Sequence, residues 1–223
     1  MAESEKDIVL FGDGNFASLA WYCLTHDSPY NVVGFTLDEE YLQETVRHGV
    51  PVVPFEALEQ HFDPGQVKLL ICIGYRGLNG LRKARYLEAK QRGYEFISYV
   101  SSRAHTWSNV PIGENCMIFE QSIIQPYARI GNNVILRTGV DISHHVLIND
   151  HCFIAAQSAI AGASEIGERV FLGLGARVTD NLSIAEGGLI AAGAVVTQNT
   201  QAYSIYRGSP AKHFQGSPED FLS

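Results

Sequence analysis

Between residues 112 and 196 the chain places an aliphatic side chain at every sixth position, fifteen times without a miss, from Ile112, Ile118 and Ile124 through Ile142 to Ile184, Ile190 and Val196. An amphipathic helix repeats near 3.6 residues and a half-buried strand near 2, so the spacing fits neither. It is the spacing of a hexapeptide parallel β-helix, in which three hexapeptides close one triangular coil. Two positions before each aliphatic the residue is mostly small or β-branched, as in Val110, Cys116, Ser122 and Ala128. Two of every six side chains are therefore expected to face inward. The pairs Ile112-Gly113, Ile130-Gly131, Ile148-Asn149, Ile166-Gly167 and Ile184-Ala185 recur every 18 residues. They are expected at one corner, where small residues or Asn permit tight turns, some at positive φ. Five coils at the inter-strand spacing of about 4.8 Å make a prism roughly 24 Å tall, filled by stacking coil on coil.

The first hundred residues follow another pattern. Short apolar runs at Asp7–Phe11, Asn31–Phe35, Lys68–Ile73 and Tyr94–Tyr99 read as strands, separated by helical stretches from the turn at Gly12 to about His26 and from Leu78 to Gly93, the latter with Lys and Arg on its outer face. Such alternation predicts a small parallel sheet with helices on its faces. The expected fold class is thus α/β plus β: a Rossmann-like domain over 1–102, then a left-handed parallel β-helix over 103–223 ending in a C-terminal tail.

Composition narrows the setting. The 223 residues are 46% hydrophobic, ample for two cores. No apolar run reaches the roughly 18 residues of a membrane span, and Met1–Lys6 is charged rather than signal-like. A cytoplasmic protein with no membrane insertion is expected. The net charge of −8, with no basic cluster, argues against nucleic acid or an anionic membrane as partner. Cys116 and Cys152 both fall on inward positions two coils apart, on the order of 10 Å, so they read as core fillers rather than a disulfide.

The turn Gly12-Asp13-Gly14-Asn15-Phe16-Ala17 matches G-x-G-x-x-A. Glycines there allow a tight turn and the close approach of a phosphate to a helix N-terminus. Asp38, at the end of the next strand, stands where such folds meet a ribose or base. A domain of about 100 residues lacks the second half that a dinucleotide spans, so one nucleotide fits better than two.

A short Rossmann-like domain with this turn, a hexapeptide β-helix, the segment DISHHVLIND and the terminal GSPAK together resemble the bacterial acyltransferases that acetylate nucleotide-linked amino sugars or sialic acid. The resemblance covers nearly the whole chain. It implies transfer of an acetyl group from acetyl-CoA to the amine of a UDP-, GDP- or dTDP-linked sugar for a surface glycan, in a homotrimer with active sites between subunits and no metal. His144 falls on the family's catalytic histidine; two residues after inward-facing Ile142 it should project outward, and an ordinary imidazole, with a pKa of about 6.5, takes a proton at neutral pH. Gly162, one coil on, falls on the glycine whose amide stabilises the oxyanion. Coenzyme A contacts are implied at Gly162, Gly173, Ala191, Pro210, Ala211 and Lys212. Nucleotide-sugar contacts are implied at Gly12, Gly14, Asn15, Asp38, Gly74, Tyr75 and Arg76, the last suited to clamp a pyrophosphate.

Three positions depart from the family's pattern. His145 stands where many relatives carry an acidic residue that orients the base, Arg137 where relatives tend to have Asn against the sugar, and Phe153 where they have a second histidine. A shifted sugar, a bulkier acyl group, or O-acetylation of a sialic-acid type of substrate stay open. Two further readings remain beside them. One is a non-catalytic sensor of a nucleotide sugar. The other is a zinc enzyme of the β-helix type using His105, His144, His145 and His151, although His145 and His151, six apart, should point roughly 120° from each other on a three-faced prism.

Overall fold

The computed structural model describes residues 6–12 and 14–222. The non-signal reading of the first residues, apart from Lys6, and Asp13 of the glycine turn lie outside the described residues. The chain gathers into two units. One holds the residues up to Gly74 together with Ala84–Tyr99, the other Tyr75–Lys83 together with Val100 onward. Residues 75–83 therefore do not follow the single cut expected near residue 102. Arg82 gives the reason: its guanidinium is tied to carbonyls of the β-helix.

The first unit comprises β1 (Asp7–Phe11), α1 (Asn15–Asp27), β2 (Asn31–Leu37), β3 (Val46–Arg47), β4 (Val50–Pro54), α2 (Leu58–His61), β5 (Lys68–Ile71), most of α3 (Gly80–Gln91) and β6 (Glu95–Phe96). Its sheet runs β3-β4-β2-β1-β5-β6. All pairings are parallel except the β3–β4 hairpin. Ile8, Val9 and Leu10 of β1 are at 0% exposure, the unbroken apolar run of a strand covered on both faces. β4 and its hairpin were not legible: Pro51 and Pro54 argue against a strand. The tight turn that makes the hairpin sits at His48 and Gly49, with φ of 48° and 82°. The fourth expected strand is divided, giving β6 and a separate pair, Tyr99–Val100.

The expected outer face of Lys and Arg on α3 is corrected. Arg82 is at 0% exposure, Arg85 pairs with Asp38, and Arg92 pairs with Glu59 while its guanidinium lies 4.2 Å from the Phe55 ring centroid. Long basic side chains cover apolar surface with their stems while their heads find acceptors, which a helical-period count does not resolve.

In the second unit two-residue strands stack into three parallel sheets whose partners, as far as Val195–Val196, are 18 residues apart, as in Ile123↔Asp141, Asp141↔Ala159 and Ala159↔Arg177. The aliphatic ladder is the core: Ile118, Ile124, Ile142, Ile154, Ile160 and Ile166 are all at 0% exposure. Cys116 and Cys152 lie in it too, and none of the four cysteines is in a disulfide. Ile205–Arg207 extends one sheet, and Lys212–Phe214 closes it as an antiparallel edge.

The corners differ from expectation in one respect. Gly113, Gly131 and Gly167 are not at positive φ. A Cβ on Gly113 would lie 2.6 Å from the Gly131 oxygen, and one on Gly167 2.6 Å from the Glu186 nitrogen. These glycines answer to the closeness of the next coil. The left-handed residue comes two positions later in each hexapeptide, at Asn115, Gln121, Tyr127, Asn133 and onward, including His145 with φ of 60°. Residues of equal phase therefore form columns that run up each corner, and one such column is Tyr127, His145, Ala163 and Asn181.

Candidate active site

His144 sits at the corner between the strands Asp141–Ile142 and Leu147–Ile148. It is exposed, and its backbone N–H donates to Gln125 Oε1 at 3.1 Å. Because residues 18 apart stack, the residue over it is Gly162. An added Cβ there would meet His144 Cε1 at 2.5 Å and Nε2 at 2.8 Å, so the imidazole packs directly on the glycine backbone. The Gly162 carbonyl accepts from Asn181, but its N–H donates to no carbonyl of the described residues. The equivalent amides of Glu114 and Asn132 are capped by side chains one coil on, Asn132 and Asp150. Imidazole and open amide thus stand side by side.

His144 Nδ1 lies 3.2 Å from His145 Nδ1, with the two rings at 83°. The His145 ring is stacked on Tyr127, centroids 4.7 Å apart and planes at 27°. Both are left-handed corner residues of one column, which is why they meet. Sequence reasoning missed Tyr127, although its separation of 18 from His145 was the available signal. The same pair lines a surface cavity of about 580 Å³ with Asn109, Pro111 and Arg129.

Gly173 and Ala191 belong to a different column, shared with Arg137, at the far end of the strands that lead to His144. A Cβ on Gly173 would fall 2.5 Å from the Ala192 nitrogen. Arg137 lies over the Phe119 ring of the preceding coil at 4.5 Å. Pro210, Ala211 and Lys212 line a second cavity of about 360 Å³ together with Thr197, Asn199 and His213. Ala211 is fixed there by its N–H to Val195. The structure therefore groups the expected site residues of this unit at three places: His144 with Gly162, Arg137 with Gly173 and Ala191, and the tail residues.

In the first unit Gly12 follows β1, Asp38 follows β2 and Gly74 comes just after β5, so all three lie at the carboxyl ends of adjacent parallel strands. Gly12 has φ of 116°, and a Cβ on it would press on the Cys72 carbonyl at 3.2 Å. Gly14 is the N-cap of α1, which no side chain caps, and Asn15 opens the helix. Asp38 is not a free carboxylate. It is 6% exposed and both its oxygens face Arg85, at 2.8 and 2.9 Å. Tyr75 and Arg76 group with the second unit, where Tyr75 packs on Phe153 and Phe171 with both centroids at 5.0 Å. Phe153 is thus part of an aromatic cluster.

A polar column runs inside another corner. Asn115 Nδ2 donates to Asn133 Oδ1 at 2.7 Å, and Asn133 Nδ2 donates to His151 Nδ1 at 2.9 Å. Arg82 donates to Asn133 Oδ1 at 3.1 Å and to the carbonyls of His151 and Cys152 at 2.9 and 3.0 Å. Burial lowers the Arg82 guanidinium to about 10 and the His151 imidazole to about 4. Burial also raises the Cys152 thiol to about 12. Among the described residues no group of three or more His, Cys, Asp or Glu gathers as metal ligands would, and no helix is long and apolar enough to cross a membrane.

No protein-family model and no curated protein sequence matches the chain. Solved structures do. GDP-perosamine N-acetyltransferase from Caulobacter crescentus, in complex with CoA and GDP-perosamine, has 26% sequence identity and a TM-score of 0.86, covering 94% of this chain and 97% of that one. The acetyltransferase domain of PglB from Neisseria gonorrhoeae, in complex with acetyl coenzyme A, has 20% identity and a TM-score of 0.82 over 94% of this chain and all of that one. WeeI from Acinetobacter baumannii has the same identity and TM-score over 93% and 99%. The chain has the fold of the hexapeptide-repeat sugar N-acetyltransferases, parallel strands in stacked coils with few helices. Among them, the perosamine enzyme shares that fold at the greater identity of the three.

Proposed function

We propose that the chain is an acetyl-CoA-dependent N-acetyltransferase acting on a nucleotide-linked amino sugar. The observation that carries the reading is His144 lying on Gly162, a proton acceptor beside an amide without a backbone partner. His144 Nε2 takes the proton that the sugar ammonium must lose, the freed amine attacks the thioester carbonyl, and the Gly162 N–H donates to the oxygen as it becomes an oxyanion. When the C–S bond breaks, the imidazolium returns its proton to the departing thiolate, the C–N bond remains, and the second proton the nitrogen must lose passes from the new amide to solvent. No acyl-enzyme is involved: Cys116 and Cys152 are buried, and a thiol raised to about 12 is not a nucleophile near neutral pH.

Gly173, Ala191 and the cavity at Pro210, Ala211 and Lys212 would hold coenzyme A, with Lys212 against a phosphate. They stand at a different corner from His144, and this supports a site completed between the prisms of a homotrimer. The first unit would act as a Rossmann-like nucleotide domain, the phosphate at Gly12, Gly14 and Asn15, and Asp38 contributing as an ion pair with Arg85. Arg137 would meet the sugar. The likeness to an enzyme crystallised with CoA and GDP-perosamine favours a GDP-linked amino sugar as the first substrate to try. A cytoplasmic setting suits both substrates.

The test is thiol release from acetyl-CoA against UDP-, GDP- and dTDP-linked 3-amino and 4-amino sugars, with His144→Ala beside the parent. Turnover on one sugar, lost in the variant, is the expected result. Silence across the panel with acetyl-CoA still bound would instead favour O-acetylation, another acyl donor or a sensor.

A further inference from the structure

We infer that His145, held by Tyr127, is the positioning residue for His144: it accepts a hydrogen bond from His144 Nδ1–H and so fixes the tautomer in which Nε2 is the base. The inference rests on the acyltransfer reading for its kinetic consequence and on geometry for its substance. Two imidazole nitrogens 3.2 Å apart can share only one proton between them, so one ring donates and the other accepts. The His144 ring lies over Gly162, and because its Nδ1 faces His145, Nε2 is the nitrogen left open beside that amide. For that nitrogen to carry the lone pair, the ring proton must be on Nδ1, and His145 Nδ1 is then the acceptor.

The acceptor is locked in place. Its backbone is the left-handed corner residue of its coil, its N–H reaches the Pro126 carbonyl, and its ring lies on Tyr127. His145 takes no proton in the reaction; it holds the imidazolium that forms on His144 as a charge-assisted donor. An imidazole differs from a carboxylate in one respect that matters here. Protonated, it can no longer accept, and it repels the charge developing on its neighbour. Activity therefore requires His145 as well as His144 to be neutral. The other titratable or charged groups around the pair are Tyr127 from the coil before and Arg129 in the shared cavity. The coil after presents Gly162 and Ala163, which carry no charge.

The corner itself supplies the variants. Gln121, Gln157 and Tyr127 occupy equivalent positions at φ of 59°, 59° and 68°, so Gln or an aromatic residue at 145 is compatible with the fold. The first measurement needs no sugar: nitrogen-15 spectra of histidine-labelled protein, parent against His145→Phe, reading the His144 tautomer. The expected result is Nδ1–H in the parent and a shift toward Nε2–H in the variant; an unchanged tautomer overturns the inference. If the tautomer behaves as expected while no sugar turns over, the positioning stands and the acyltransfer reading falls.

With a sugar that turns over, His145→Phe should lower kcat roughly 10- to 100-fold, the scale of a misplaced catalytic group, with KM for acetyl-CoA within about twofold. His145→Gln, a neutral acceptor that does not titrate, should recover kcat to within about threefold of the parent. The acid limb of kcat/KM should steepen from one proton toward two in the parent and stay at one in His145→Gln. A phenylalanine variant with the parent's kcat and acid limb, or a glutamine variant no better than phenylalanine, overturns the inference.

Discussion

A methyl group on Gly162 would fall 2.5 Å from Cε1 of His144, well inside van der Waals contact. The imidazole is therefore positioned as much by what is missing one coil above it as by anything bonded to it. Gly162 is not at positive φ, so alanine there strains no backbone; it displaces a ring. Gly162→Ala is expected to fold with a thermal midpoint within a few degrees of the parent and to lose on the order of 100-fold in kcat. Thiol-release kinetics and a melting curve on the same preparation check both halves.

The buried His151 makes acid sensitivity a structural matter. Burial lowers its pKa to about 4, while in the unfolded chain it titrates near 6.5. Above about pH 6.5 both states are neutral and nothing is lost. Between about 6.5 and 4 the unfolded chain takes up a proton that the folded one refuses, so stability falls, by no more than about 1.4 kcal/mol per pH unit. His151→Asn would extend the column of Asn115 and Asn133 with a group that does not titrate. Its urea midpoint should vary less than the parent's between pH 6.5 and 4.5, and equal slopes would show that His151 is not the group responsible.

Arg82 joins 75–83 to the prism through the carbonyls of His151 and Cys152. Replacing it with methionine leaves those acceptors and Asn133 inside the protein with fewer donors, at about 1–3 kcal/mol for each buried group left unsatisfied. Arg82→Met should lower the urea midpoint markedly, and Arg82→Lys should recover part of the loss. A midpoint unchanged in Arg82→Met would mean that the acceptors find other partners.

Lys212 is exposed and makes no ion pair among the described residues. If it meets a phosphate of coenzyme A, Lys212→Ala should raise KM for acetyl-CoA about 3- to 10-fold at low salt with kcat unchanged, and the difference should shrink as ionic strength rises. KM values that match the parent's at low salt would remove Lys212 from the site.

The β-helix was legible because its signal is redundant. Each coil repeats the same inward positions, so Ile142 leads to Ile160 and that in turn to Val178, and several repeats would have to fail together before the pattern misled. The stacking of Gly162 over His144 was legible for the same reason, as a separation of 18. Less of the first unit could be read. β4 carries two prolines, and the basic residues of α3 and of the turn after it are placed by partners far away in sequence, Asp38 for Arg85 and Glu59 for Arg92. Asp38 shows the limit most clearly. Its place at the end of β2 follows from the strand pattern, but its engagement with Arg85 depends on how α3 packs, which periodicity does not report. At the corners the error was one of phase: glycine drew attention to position 113, whereas the left-handed residue is Asn115.

That phase has a bearing on how such a chain can change over generations. Because every downstream strand, corner and left-handed residue keeps its place only modulo 18, a loss or gain of a single hexapeptide would carry His144 or its successor to a different face, and a loss of one residue would turn the interior outward. Length in this half of the molecule is quantised, and inheritance can add or remove whole storeys without disturbing the rooms on either side.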